Sequence, residues 1–118
     1  MKLLVIVAHG SRVKTSNDEI INLTKKLNSE CKDKSLKIIP AFLELCEPSI
    51  YNAIKNQINN GYNQIKVFPY FLAEGKHVKQ DIPQEIENLK KEFKKVDIEL
   101  LPHLGNYKEI VSLILSIV

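Results

Sequence analysis

Short apolar segments alternate with segments of helical periodicity along the whole chain, and this alternation restricts the fold more than any other feature. The apolar segments predict strands at Leu3–Ala8, Leu36–Leu43, Gln64–Phe71 and Val96–Leu101. The periodic segments predict helices at Val13–Lys32, Glu47–Asn60, Ile82–Lys94 and Asn106–Ile117. Strands that alternate with helices form right-handed crossovers, so the order βαβαβαβα predicts an α/β fold with a four-stranded parallel sheet and helices on both faces.

Local signals mark where these elements begin and end. Ser16 or Asn17 is the expected N-cap of the first helix, and Asp81 is the expected N-cap of the third. Gly61 closes the second helix. Pro40 indicates either a nearby edge of the sheet or an irregularity in the second strand. No repeat or linker interrupts the chain, and residues 1–118 are expected to form one domain.

Charge and cysteine content exclude several classes of protein. The formal net charge is +3, and the charged residues are dispersed, so we expect no nucleic-acid partner. Cys31 and Cys46 have neither a metal-binding spacing nor a disulfide framework, which indicates a reducing, cytoplasmic location. The first apolar run is too short for a secretory signal or a membrane span, so no membrane association is expected.

Polar residues follow each predicted strand. The stretch His9–Arg12 follows the first strand, Glu44 and Glu47 follow the second, His77 follows the third and His103 follows the fourth. The carboxyl ends of parallel strands meet at one edge of a sheet, and ligands bind where the strand order reverses. All three histidines of the chain are therefore expected at the ligand-binding edge.

Two histidines and a carboxylate from separate strand ends can share a divalent cation, since imidazole suits first-row transition metals. His9, His77 and Glu44 are the candidates. Each also has a plainer explanation on its own: a lone histidine is an ordinary loop residue, and Glu44 or Glu47 suits the N-terminus of a helix. Only their common placement at one edge indicates a site.

Three motifs resemble those of one known family. "VAHGSR" ends the first strand, "FLELCEPS" follows the second, and "PYFLAEGKHVKQDIP" follows the third. Together they resemble the small class II tetrapyrrole chelatases, which include short sirohydrochlorin cobaltochelatases and the related ferrochelatases and nickelchelatases. The resemblance extends from Leu3 to about Leu104. It implies a chelatase-like domain that inserts a divalent metal, Co²⁺ first, into sirohydrochlorin in cobalamin or related tetrapyrrole biosynthesis.

The resemblance also implies roles for individual residues. His9 and His77 correspond to the metal-binding histidines, and His9 is also expected to accept a pyrrole proton. Glu44, the second catalytic candidate, matches a carboxylate near the metal in some members and would neutralise charge or relay the proton. The implied substrate-binding residues are Glu47, Leu72, Ala73, Glu74, Gly75, Lys76 and His77. Rim contacts to the macrocycle are expected from Gly10, Ser11, Arg12 and Lys79.

The same resemblance implies a homodimer, a tetrapyrrole partner, and a metal that is a substrate rather than a permanent cofactor. The apolar residues of the last helix fit either a partner interface or packing within the chain. Ligand type alone leaves Co²⁺, Ni²⁺ and Fe²⁺ open, so nickel- and iron-inserting enzymes are alternatives. A non-catalytic metal or tetrapyrrole carrier would use the same two histidines. A dinucleotide-binding domain is disfavoured because the first strand is not followed by G-x-G-x-x-G.

Overall fold

The computed structural model describes all 118 residues and contains a four-stranded parallel sheet with four α-helices. The strands are β1 (Lys2–Ala8), β2 (Leu36–Phe42), β3 (Gln64–Pro69) and β4 (Asp97–Leu100). The helices are α1 (Lys14–Glu30), α2 (Ile50–Asn59), α3 (Ile82–Glu92) and α4 (Glu109–Ile117). The α/β fold predicted from the sequence is confirmed.

The order of strands across the sheet is β2-β1-β3-β4, and every neighbouring pair is parallel. The chain leaves β1 for β2 on one side and then crosses to β3 on the other side. The strand order therefore reverses between β1 and β3, and their carboxyl ends form the crevice where such sheets bind ligands. β2 is an edge strand, as Pro40 indicates, and β1 is buried in the middle.

The main core lies between the sheet and the helices α2 and α3. Val5, Val7 and Val67 of the sheet pack with Ile54 of α2 and Ile86 of α3, and none of these five residues is more than 1% exposed. Full burial of such a side chain stabilises the fold by about 1.5–3 kcal/mol. The opposite face of β2 packs against α1. β1 is thereby buried on both faces along most of its length, whereas β3 buries one face and exposes Gln64 and Lys66 on the other.

The predicted caps of the first helix and the predicted starts of the second and last helices are wrong, for local reasons. The first helix begins at Lys14, before either expected cap; Val13 occupies the N-cap position and makes no side-chain capping bond. The second helix begins at Ile50 rather than Glu47, because the Ser49 hydroxyl accepts the Asn52 N–H at 3.1 Å. The last helix begins at Glu109, after a 3₁₀ turn over Leu104–Asn106.

A π-helical turn over His77–Asp81 precedes α3. The Ile82 N–H donates to the carbonyl of His77, five residues earlier. Pro83 has no N–H, and its ring would clash with a carbonyl four residues earlier in an α-helix, so this wider turn suits the sequence. Asp81 occupies the expected N-cap position but makes no capping bond, and its carboxylate contacts His77 instead, so the predicted cap is wrong.

Helix α4 projects from the rest of the chain. Its apolar side chains are exposed: 59% for Val111, 57% for Leu113 and Ile114, and 77% for Ile117. Core packing within the chain, one of the two expectations for this helix, is therefore wrong. No helix of the protein has the length and apolar character needed to cross a lipid bilayer.

A surface ion pair joins the start of β1 to the turn that precedes β2. Asp33 accepts from the Lys2 ammonium and from the N–H and hydroxyl of Ser35, and these bonds lower its pKa from 3.8 to about 2. The folded pKa lies below the unfolded one, so this contribution to stability is present above about pH 4 and is lost as the pH falls towards 2.

We expect Asp33→Asn to be less stable than the wild type at pH 7 and equally stable near pH 2. The amide can still accept from Ser35, so the substitution removes mainly the charge. Urea unfolding at a series of pH values measures the difference. A stability difference that stays constant from pH 7 to pH 2 would contradict this assignment.

Candidate functional site

His9 and His77 lie side by side at the point where the strand order reverses. His9 directly follows β1 and His77 opens the π-helical turn after β3. The centroids of their rings are 4.8 Å apart, and the ring planes are inclined by 47°. Although 68 positions separate them in the chain, the parallel pairing of β1 with β3 brings the two imidazoles into contact.

Glu44 contacts the ring of His9. Its Oε1 lies 2.7 Å from Nε2 of His9. The backbone supports this contact, because the Leu43 N–H donates to Ala8 and the Glu44 N–H donates to His9, at 3.0 and 3.1 Å. The pairing of β1 with β2 therefore continues beyond both strands. The side chains of His9 and Glu44 are about half exposed, at 49% and 54%, so the pair is open to solvent.

Asp81 contacts the ring of His77. Its Oδ2 lies 2.7 Å from Nδ1 of His77, and the two side chains are 39% and 38% exposed. The contact spans one helical turn, from position i to i+4. Sequence reasoning gave Asp81 only a capping role; the i, i+4 spacing from His77 was the signal that could have revealed this contact. The two histidines are thus held through different nitrogens, Nε2 in His9 and Nδ1 in His77.

Gly10 allows the loops after β1 and β2 to touch. Its φ is +94°, and a Cβ atom at this position would lie 1.9 Å from the carbonyl oxygen of Glu44. Any larger residue would have to adopt a left-handed conformation and also push the Glu44 backbone away. The structure therefore requires glycine beside the His9–Glu44 pair, independently of any ligand.

Asn17 fixes the loop that follows His9. Its side chain, only 8% exposed, accepts the Ser11 N–H at 2.9 Å and donates to the Ser11 carbonyl at 2.7 Å. The Ser11 hydroxyl accepts the Val13 N–H at 3.0 Å. Asn17 was expected to cap α1, and its actual role depends on a loop conformation that no local pattern predicts.

The remaining predicted substrate residues form an exposed loop after β3. Residues 72–76 are all exposed, and Leu72 is 70% exposed. Gly105, which sequence reasoning did not single out, supports this loop: its N–H donates to Phe71, and a Cβ there would lie 1.8 Å from the Leu72 carbonyl oxygen. Arg12 and Lys79 lie on the surface and form no ion pair.

Glu47 lies apart from the histidine pair, at the start of α2. Its Oε1 accepts from the side-chain amide of Asn52 at 3.1 Å and from the N–H of Ser49 at 3.4 Å. This is the position at which a helix favours negative charge. Glu44 and Glu47 both line an open cavity of about 430 Å³ formed by the loop after β2.

His103 lies outside the pair. With Glu74 it lines a separate cavity of about 350 Å³ at the end of β4.

Glu85 lies one turn after Asp81 in α3. Burial raises the pKa of Glu85, and the nearby Asp81 carboxylate raises it further. Side chains of histidine, cysteine, aspartate and glutamate nowhere form a cluster of three or more arranged to hold a metal ion. The site therefore consists of two histidine–carboxylate pairs in contact through their rings.

Fold and site together define the class: an α/β protein of the class II chelatase type, with two histidines at the reversal of the strand order. The CbiX family model matches residues 3–118. The chain therefore belongs to the CbiX family.

Two curated relatives show how much of the chain is shared. The sirohydrochlorin cobaltochelatase of Sulfolobus acidocaldarius is 32% identical over 111 residues, which cover 94% of this chain and 85% of the relative. The sirohydrochlorin cobaltochelatase of Methanopyrus kandleri is 34% identical over 84 residues, or 71% of this chain. That match spans 57% of the length of the Methanopyrus protein.

Solved structures and a plant relative extend the comparison to other members. The sirohydrochlorin chelatase SirB from Bacillus subtilis subspecies spizizenii, solved in complex with cobalt, superposes with a TM-score of 0.84 at 27% identity. The match covers 98% of this chain and 48% of SirB. The chloroplastic sirohydrochlorin ferrochelatase of Arabidopsis thaliana is 31% identical over 114 residues, covering 94% of this chain and 48% of the plant protein.

Proposed function

We propose that the protein is a sirohydrochlorin chelatase that inserts a divalent metal, Co²⁺ first, into sirohydrochlorin. The observation that carries this proposal is the contact between His9 and His77, whose ring centroids are 4.8 Å apart at the ligand-binding edge. The relatives named as cobaltochelatases and the cobalt complex of SirB support the choice of substrate and metal. The reaction belongs to cobalamin or related tetrapyrrole biosynthesis.

The two imidazoles suit a metal that must be released. Neutral imidazole nitrogens bind Co²⁺, Ni²⁺ and Fe²⁺, and two such ligands leave most coordination positions free for the nitrogens of the macrocycle. The metal is a substrate: it arrives at His9 and His77 and leaves in the tetrapyrrole. Both side chains are partly exposed, at 49% and 39%, so the metal and a flat macrocycle can reach the rings from solvent.

Insertion breaks two pyrrole N–H bonds as the metal–nitrogen bonds form, so two protons must be removed. Imidazole accepts and releases protons near neutral pH. Nδ1 of His9 binds the metal first, and once the metal has passed to the macrocycle the free Nδ1 takes a pyrrole proton. Nε2 then passes its proton to Glu44, 2.7 Å away. Glu44 is 54% exposed and can release that proton to water. This transfer leaves His9 as the Nδ1–H tautomer. Because the ring is 49% exposed, Nδ1 can release its proton to water while Nε2 regains one from water, and Nδ1 is then free for the second pyrrole proton.

The loop after β3 provides the surface for the macrocycle. Leu72, Ala73, Glu74, Gly75 and Lys76 are exposed next to His77. Sirohydrochlorin carries many carboxylates, and the rim that meets them consists of Arg12 and Lys79 with Lys76, together with the loop residues Gly10 and Ser11. Glu47 contacts the tetrapyrrole from the cavity that it shares with Glu44.

An anaerobic insertion assay tests the choice of metal. Purified protein is mixed with sirohydrochlorin and either Co²⁺, Ni²⁺ or Fe²⁺, and the absorbance of the macrocycle is followed. We expect Co²⁺ to be inserted fastest. Fastest insertion of Fe²⁺ would assign the protein to sirohaem synthesis, in line with its plant ferrochelatase relative, and fastest insertion of Ni²⁺ would assign it to coenzyme F430 synthesis.

The working unit is proposed to be a homodimer of the single domain formed by residues 1–118, in the reducing cytoplasm. The exposed apolar residues of α4 support the dimer, since large exposed apolar surfaces mark association sites. The free thiols of Cys31 and Cys46 agree with a reducing compartment.

We expect sedimentation to show a dimer, and Ile114→Lys to shift it towards monomer because the charge would be placed in the apolar interface. Ser112→Lys is the matched control, since residues two apart in a helix lie on nearly opposite sides. A stable wild-type monomer with full insertion activity would overturn the dimer.

A further inference from the structure

His77 has a carboxylate partner of its own in Asp81. Oδ2 of Asp81 lies 2.7 Å from Nδ1 of His77, and the carboxylate is not used by α3, since Asp81 makes no capping bond. A carboxylate at pH 7 only accepts hydrogen bonds, so the hydrogen in this contact belongs to the imidazole. The contact therefore holds the proton of neutral His77 on Nδ1 and leaves the lone pair on Nε2.

The local backbone keeps the two side chains together. His77 and Asp81 are the first and last residues of the π-helical turn, one turn apart on the same side. The Ile82 N–H closes this turn on the His77 carbonyl. Ile82 is fully buried, which anchors the end of the turn in the core. π-Helical turns are rare in proteins as a whole, and many of those that do occur lie at functional sites.

Histidines that bind metals generally donate their second ring N–H to a carboxylate or a carbonyl. This fixes the tautomer, orients the ring and makes the ligating nitrogen more basic. His77 and Asp81 have this arrangement before any metal is bound. His9 differs, because its partner Glu44 comes from another strand end and contacts Nε2.

We propose that Asp81 is a positioning residue of the metal site, which holds His77 as the Nδ1–H tautomer so that Nε2 binds the divalent metal. This inference rests on the proposed function, in that His77 is taken as a metal ligand. A residue at the N-cap position of α3 does not need to contact His77, so this role is separate from capping the helix.

The first test uses the unaltered protein without metal. Long-range ¹H–¹⁵N correlation spectra, recorded at a pH where the imidazoles are neutral, report which ring nitrogen carries the proton. Loss of one set of signals in His77→Ala assigns the resonances of His77. We expect hydrogen on Nδ1 and none on Nε2. Hydrogen on Nε2 of His77 would overturn the proposal, whether or not the protein inserts metal.

The second test compares variants of Asp81 by titration with Co²⁺ alone. Asp81→Leu removes the acceptor, so we expect His77 to lose its preference for the Nδ1–H tautomer and the affinity for Co²⁺ to fall about 10- to 100-fold. Asp81→Asn keeps an oxygen acceptor, so the tautomer and most of the affinity should be retained. This rescue separates positioning of the ring from a purely structural role.

Asp18→Asn is the matched control. Asp18 forms an i, i+4 ion pair with Lys14 at 2.9 Å on α1, and its substitution should affect neither the tautomer of His77 nor the Co²⁺ affinity.

An unchanged tautomer of His77 and an unchanged Co²⁺ affinity in a folded Asp81→Leu would contradict the proposal. If Asp81→Leu does not fold, a loss of the Nδ1–H tautomer in Asp81→Asn would contradict it equally. A wild type with the expected tautomer and Co²⁺ binding but no insertion would overturn the chelatase function and leave the role of Asp81 intact.

Discussion

Replacing His9 with alanine is expected to lower the rate of metal insertion by about 100-fold or more, the usual contribution of a positioned general base. The imidazole has two tasks in the proposed reaction. It binds the metal with His77, 4.8 Å away, and it transfers pyrrole protons to Glu44, 2.7 Å away. His9 is the only side chain that forms a hydrogen bond with Glu44 and a ring contact with His77. Initial rates of insertion under anaerobic conditions measure the loss.

His103→Ala is the matched control, because His103 is the one remaining histidine and lies in a separate cavity at the end of β4. It should lose much less of the insertion rate than His9→Ala, because His103 contacts neither the His9–Glu44 pair nor the His77 ring and only lines a cavity with Glu74. The His9 side chain is 49% exposed and contributes little to the core, so His9→Ala should remain folded. Insertion at the wild-type rate by a folded His9→Ala would exclude the proposed role of this histidine.

Gly10→Ala is expected to lower the free energy of unfolding by about 2–4 kcal/mol, through left-handed strain combined with a backbone clash. The added Cβ would lie 1.9 Å from the Glu44 carbonyl oxygen, an atom that cannot move without displacing the loop after β2. Relief of this clash would separate Glu44 from His9, so the insertion rate should fall as well. Urea unfolding measures the first effect and the insertion assay the second.

Gly75→Ala controls for the general effect of adding a methyl group to a loop glycine. A Cβ at Gly75 would meet no atom within 4 Å, and its φ lies outside the left-handed region. Its stability should stay within about 0.5 kcal/mol of the wild type, as for most surface substitutions. Equal stability of the two variants would show that the close approach at Gly10 is not required.

The sheet was predictable because its signal is distributed over many residues. Four apolar runs separated by helical periodicity leave few arrangements other than a parallel sheet, and the fold follows from that order. The ends of elements depend on single contacts. α2 begins where the Ser49 hydroxyl caps it, three residues after the predicted start, and the π-helical turn before α3 depends on Pro83 and on the packing of Ile82.

The site was predictable to the extent that topology determines it. His9 and His77 meet because parallel strands place their carboxyl ends at one edge. The supporting residues are different: Asp81 and Asn17 have the residue types of helix caps, and each lies near the start of a helix. Only the tertiary structure shows that Asp81 binds the His77 ring and that Asn17 binds the loop at Ser11.

The exposure of α4 was not predictable either. Its apolar residues are compatible with a buried core helix and with a surface covered by a partner, and no pattern within the helix distinguishes the two. The path of the chain after the 3₁₀ turn at Leu104–Asn106 decides it, and this path leaves most apolar residues of α4 exposed.

The number of tetrapyrrole molecules that each protein molecule metallates tests the central claim most directly. Wild-type protein, a large excess of sirohydrochlorin and Co²⁺ are incubated anaerobically, and the metallated product is quantified by absorbance. A catalyst should metallate many macrocycles per protein molecule. The double variant that carries both His9→Ala and His77→Ala should metallate none beyond the uncatalysed rate. Binding of sirohydrochlorin or Co²⁺ without metallation beyond the uncatalysed rate would instead identify a carrier and contradict the chelatase function.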